Sequence, residues 1–140
     1  MARRQPVSLR ISDDVRAAIA ETARRTRRDF SSIANEMLEE AVRMRRIPGI
    51  VFADGPAGRR ARIAGTGLEV FEIIEQYRAV EQDWERLKEG FHWLNEHQLR
   101  AALAYAEAYP EEIEEWLKGD FYSFFEEAWA QYPYMKPPWR

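Results

Sequence analysis

The chain has no cysteine among its 140 residues. That removes disulfides and every cysteine-ligated zinc or iron–sulfur site, and it fits a reducing compartment. Long apolar runs are missing too: nothing approaches the roughly eighteen residues of a membrane span. The opening MARRQPVSLRIS lacks the apolar stretch of a secretory signal. A cytoplasmic protein that uses no membrane is therefore expected. Histidine is scarce, with only His92 and His97. Around one turn, with Glu89 and Glu96 as the nearest acids, they fall short of a metal ligand set. The glycine-rich turn Asp54–Gly58 lacks the Lys-Ser/Thr pair of a phosphate-cradling loop, and Gly65-Thr66-Gly67 is too short for a dinucleotide fingerprint. Glu111-Glu112 and Glu114-Glu115 fall on a solvated helix face. Nothing reads as an active site, so the expectation is a protein that is no enzyme and holds neither metal nor cofactor.

What is present is charge, unevenly spread. Through Arg62 there are 14 arginines against 8 acidic residues; from Ile63 onward, 7 basic residues face 16 acidic ones. A basic front suits nucleic acid, and an acidic rear suits a different partner. Two solvated surfaces of opposite bias are the plainer reading of the same numbers.

The basic front begins with Pro6-Val7-Ser8-Leu9-Arg10-Ile11. Val7, Leu9 and Ile11 alternate with Pro6, Ser8 and Arg10, which predicts a strand with one buried face. No second strand follows for about forty residues. The natural partner is the same strand from a second copy, which would leave Ser8 and Arg10 of both copies on the open face. A two-stranded ribbon is one of the few elements that fits the DNA major groove. Ser12 caps a helix carrying Asp13 and Asp14 in its first turn and Val15, Ile19 and Ala23 along one face. A basic cluster, Arg24, Arg25, Arg27 and Arg28, closes it. A second helix is predicted to start at Ser31 or Ser32, with Ile33, Met37, Leu38, Ala41 and Val42 on its apolar side. So short a unit seldom buries enough surface alone, and obligate dimerisation resolves that.

Ile47-Pro48-Gly49 ends the second helix. Residues 50–53 and 59–63 then read as a hairpin around the turn Asp54–Gly58. Amphipathic helices follow: one with Val70, Ile73, Ile74 and Tyr77 inside, one with Trp84, Leu87 and Phe91, and one opened by Asn95 and Gln98 as a capping box and carrying Leu99, Leu103 and Tyr105. Pro110 opens a short acidic helix holding Ile113, Trp116 and Leu117.

Strand, helix, turn and helix within Arg4 to Arg46 resemble the ribbon-helix-helix family of DNA-binding proteins. That resemblance implies base reading by Ser8 and Arg10, with Pro6 at a third outward position. It also implies a phosphate at the N-terminus of the second helix, on the N–H groups near Ser31 and Ser32, as helix dipoles favour. Arg3 and Arg4 join as a flexible arm, and Arg27 and Arg28 serve the phosphates. Gly49 to Leu117 resembles a small helical, helix-turn-helix-like domain of toxin–antitoxin loci. Its marks are I-x-G-T-x-[IL]-x-V, here Ile63 to Val70, and a late A-L-x-Y, here Ala102 to Tyr105. Many relatives have arginine where Gly67 stands. Together the halves resemble a VapB-type antitoxin, which implies a homodimer that represses its own operon on double-stranded operator DNA and neutralises a PIN-like ribonuclease toxin.

The expected fold is mainly α, with a short N-terminal strand and a hairpin: a ribbon-helix-helix dimer over 1–48, a helical domain over 49–118 and an aromatic, proline-rich tail over 119–140. Eight aromatic residues crowd that tail. Dense aromatics are the usual anchors of interfaces, and with the VapB resemblance this makes Phe121, Phe124, Phe125, Trp129, Tyr132, Tyr134 and Trp139 the expected toxin contacts; the plainer reading is a tail folded back on its own domain. Lys136 and Arg140, both positive, suit the carboxylate cluster of a metal-dependent nuclease. The competing functions are a stand-alone transcriptional regulator whose rear domain senses a ligand or oligomerises, and an adaptor whose ribbon only dimerises.

Overall fold

The computed structural model describes residues 5–55, 58–118 and 128–136. The chain is mainly helical with one two-stranded antiparallel hairpin, and it divides into two compact units, Met1–Val42 and Arg43–Arg140.

In the first unit, α1 spans Asp13–Thr26 and α2 starts at Phe30 and runs to Arg46. The Ser12 side chain accepts the Val15 N–H at 3.3 Å, and Asp13 and Asp14 occupy the positive end of the helix dipole. Arg27 ends α1 in the left-handed region at φ 56°, and the Arg28 N–H reaches back to the Ala23 carbonyl at 3.0 Å. α2 does not start at Ser31 or Ser32 as its sequence predicts. Asp29 caps it instead, taking the Ser32 N–H at 2.8 Å and the Ser32 hydroxyl at 3.0 Å. Aspartate is as good an N-cap as serine, and its charge also answers the dipole.

Residues 5–12 carry no regular secondary structure. The strand expected over Val7 to Ile11 is therefore not formed in the single chain, because none of the described residues pairs with it. Only Ile19 and Ile33 are buried among the described residues of this unit.

In the second unit, β1 (Ile50–Gly55) pairs with β2 (Gly58–Ile63) in the register Ile50 to Ile63, Phe52 to Ala61 and Gly55 to Gly58. Four helices follow: α3 (Val70–Ala79), α4 (Trp84–Gly90), α5 (Glu96–Ala108) and α6 (Pro110–Lys118). The Asn95–Gln98 capping box forms as its sequence predicts, each side chain accepting the other's backbone N–H at 2.8 Å. One face of the hairpin (Ile50, Ala61, Ile63) joins Val70, Ile73, Leu87, Phe91, Leu99, Ala102, Tyr105 and Ile113 in a single core. This unit thus has the core that the first lacks.

The α3–α4 turn holds two consecutive non-glycine residues in the left-handed region, Glu81 at φ 55° and Gln82 at φ 59°. Hydrogen bonds from Glu81 N–H to the Arg78 carbonyl, and from Gln82 N–H to that of Tyr77, fix them there. The steric cost of that region for an L-residue is about 1–2 kcal/mol, partly offset in glycine by its larger unfolded-state freedom. Glu81→Gly and Gln82→Gly are each expected to stabilise the protein by about 0.5–1 kcal/mol in urea unfolding. Alanine at either position should gain nothing.

Candidate nucleic-acid interface and partner surfaces

Ser8 and Arg10 stand exposed on the N-terminal segment, and so do the residues between them: Val7 is 85% and Leu9 65% accessible. The same unit exposes Val15, Phe30, Met37, Leu38 and Val42. All but Phe30 are apolar positions that the sequence periodicity assigns to a core. In the single chain that core is open, although periodicity located its residues.

The arginines of this unit fall into two groups. Arg24 is paired with Glu21 at 2.6 Å and Arg28 with Glu36 at 3.1 Å. Arg10, Arg16, Arg25 and Arg27 make no ion pair among the described residues. Arg27 is therefore available to a polyanion, whereas Arg28 is engaged. Ser31 is exposed, its carbonyl accepting from the Asn35 side-chain amide at 2.9 Å. Both donors of Ser32 are already spent on Asp29. Those donors, the backbone N–H first and then the hydroxyl, hold the Asp29 carboxyl below its ordinary range. A carboxylate thus occupies the place where a phosphate was expected. Arg3 and Arg4 lie outside the described residues.

The I-x-G-T-x-[IL]-x-V stretch of the second unit is a connection between β2 and α3. Gly65 sits at φ 77°, where a side chain is strained. The Thr66 hydroxyl donates to the Ile63 carbonyl at 2.9 Å and accepts the Leu68 N–H at 3.1 Å, while the Ile63 N–H donates to the Leu68 carbonyl at 2.9 Å. Leu68 and Val70 are then buried, and the Glu69 N–H is received by Glu72 at 2.9 Å. Gly67 faces open space, with no atom within 4 Å of an added Cβ. Burial raises the Glu69 carboxyl, Arg60 and Arg62 oppose the rise, and Gly55 passes close to Arg62 and Glu69.

Tyr105, the last residue of A-L-x-Y, is fully buried, with Phe52, Tyr109 and Trp116 around its ring. Its hydroxyl donates to Glu112 at 2.6 Å and accepts from Arg43 at 2.8 Å; Arg43 also reaches Glu112 at 2.6 Å and lies over the Tyr109 ring. Burial works against the Arg43 charge, but Glu112 and Tyr105 outweigh it and its pKa rises.

Of the aromatic tail, Tyr132 and Tyr134 are exposed and meet edge to face at 6.1 Å beside exposed Met135 and Lys136. Trp129 is half-buried. Phe121, Phe124, Phe125, Trp139 and Arg140 lie outside the described residues.

His92 packs edge to face on Trp93 at 5.2 Å, and His97 lies beside Gly49. Among the described residues no three His, Cys, Asp or Glu side chains gather as a metal site would require, and no helix is long and apolar enough to cross a membrane. No protein-family model, curated protein or solved structure matches the chain.

Proposed function

We propose that the chain is a DNA-binding antitoxin: two copies join through their first units on operator DNA, and the second unit with its tail neutralises a PIN-like ribonuclease toxin. The observation that carries this reading is the first unit's open apolar face lying beside unpaired arginines. Val7, Leu9, Val15, Leu38 and Val42 stay exposed, and the alternation puts Ser8 and Arg10 on the other side of the segment from Val7 and Leu9. A second identical segment suits that face, since antiparallel pairing would satisfy both backbones and put both apolar rows on the same helices. The resulting ribbon presents Arg10 twice, with Arg27 at its flank. The exposed pair Tyr132 and Tyr134, next to Lys136, supports the toxin half of the reading, because aromatic residues beside a cation fit an acidic, metal-binding cleft.

Two measurements test the two halves. On DNA, Arg10→Ala is expected to remove discrimination between operator and random duplex, at about 1–3 kcal/mol for a lost bidentate base contact. Arg27→Ala should weaken both duplexes alike and flatten the salt dependence. Equal losses for both variants on both duplexes would refute the assignment. For the toxin, the ribonuclease encoded in the adjacent frame is assayed on RNA with one equivalent of antitoxin. The full chain is expected to inhibit it, and a chain ending at Lys118 is expected to bind DNA without inhibiting. Inhibition by the shortened chain would move the inhibitory element into the helical core. No inhibition by the full chain, with DNA binding intact, would leave a transcriptional regulator alone.

A further inference from the structure

The first unit carries its own competitors for DNA phosphate. The Arg28 main chain is fixed by its N–H on the Ala23 carbonyl, the last link of the α1 cap. From that base the guanidinium reaches Glu36, two turns into α2, at 3.1 Å. Asp29 adds a second carboxylate next to it and takes both donors of Ser32. Residues 29, 32 and 36 follow one another at helical spacings of three and four, so they share a stripe. Two of the groups that the ribbon-helix-helix resemblance offers to phosphate, Arg28 and Ser32, are thus occupied by carboxylates of the same unit. The four unpaired arginines nearby are not.

We propose that Glu36, with Asp29, sets the strength and salt dependence of DNA binding by holding Arg28 and Ser32 back from the phosphates, a reading that rests on the proposed DNA-binding role. An arginine held by a carboxylate must give up that partner before it can neutralise a phosphate, so while the pair lasts it displaces no condensed counterion from DNA. Wild-type protein therefore binds with fewer effective phosphate contacts than its arginines suggest. Modest affinity per dimer favours a repressor that responds to how many copies line up on its operator.

The test uses the full chain, a duplex of about 24 base pairs and fluorescence anisotropy between about 50 and 200 mM NaCl, the range over which phosphate contacts reveal themselves. Glu36→Gln is expected to tighten binding about fivefold at the low-salt end and to steepen the plot of log K against log[NaCl] by about 0.9, the slope of one added phosphate contact. Glu39→Gln, which removes an equal charge from exposed α2 surface without an ion pair, should leave the slope unchanged. Arg28→Ala should cancel the gain in the Glu36→Gln background, where no carboxylate at position 36 is left to repel the phosphates. Asp29→Asn keeps an acceptor for the Ser32 N–H and should tighten binding without loss of helical signal. Parallel slopes for wild type and Glu36→Gln, or a gain that survives Arg28→Ala, would overturn the proposal while leaving DNA binding standing. If no form binds duplex at any salt, the DNA-binding reading itself falls with it.

Discussion

Tyr105→Ala is expected to destabilise the second unit by about 4 kcal/mol, within the range for emptying a buried aromatic site. Phe52, Tyr109 and Trp116 surround the ring, and the side chain has no exposed surface through which the neighbours can collapse. The truncation also removes the hydroxyl between Arg43 and Glu112. Tyr105→Phe separates the two contributions. Arg43 still meets Glu112 at 2.6 Å without the hydroxyl, so the loss should be about 1 kcal/mol, the usual net worth of one hydrogen bond. Urea unfolding followed by tryptophan fluorescence reads both. Equal losses for the two variants would place the energy in the polar network and contradict the packing account.

The same side chain sets an alkaline limit. Burial raises the Tyr105 hydroxyl above its ordinary value of 10.0, and donation to Glu112 raises it further. An acid whose pKa is raised by folding gives its full stabilisation below its unfolded value and loses it as pH climbs toward the folded one. Unfolding midpoints should therefore hold steady up to about pH 10 and fall beyond it, and Tyr105→Phe should lessen that fall.

How far the sequence revealed these elements follows from how local each determinant is. Asn95 and Gln98 lie within one turn of each other, so their capping box could be read directly. The hairpin was legible from its flanking turn signals, but its strands run further into the predicted turn, β1 to Gly55 and β2 from Gly58, because Asp54 pairs with Arg59 and Gly55 with Gly58. Asp29 is equally local, three residues before Ser32, but serine at 31 and 32 offers a rival cap in the sequence, and only the structure decides between them. Phe71 falls outside the periodic stripe of Val70, Ile73, Ile74 and Tyr77, yet α3 buries it together with Val70 at its first turn. The contact of Arg43 with Glu112 spans 69 positions, and nothing local announces it. The segment from Val7 to Ile11 is a different case. Its alternation was legible, but a strand is a property of a pair, and the single chain holds one member.

That missing member yields the sharpest test of the proposed dimer. In the full chain, Leu9→Asp is expected to abolish self-association and, with it, operator binding. Leu9 is 65% exposed in the single chain, so the substitution costs the monomer little. In a paired ribbon the residue faces the helices of both copies, and the two-fold axis brings in a second aspartate. A charge buried without a partner costs about 3–5 kcal/mol. Two of them raise the dissociation constant by upward of about 10⁴-fold. Sedimentation equilibrium at micromolar protein should show dimer for wild type and monomer for Leu9→Asp, with the unfolding of the second unit unchanged. Arg10→Ala is the neighbouring control, since its side chain points to the other face: it should stay dimeric and lose only DNA discrimination. A Leu9→Asp chain that sediments as a dimer would mean that the copies meet elsewhere. A wild-type chain that sediments as a monomer would leave the exposed row of Val7, Leu9, Leu38 and Val42 to a partner other than itself.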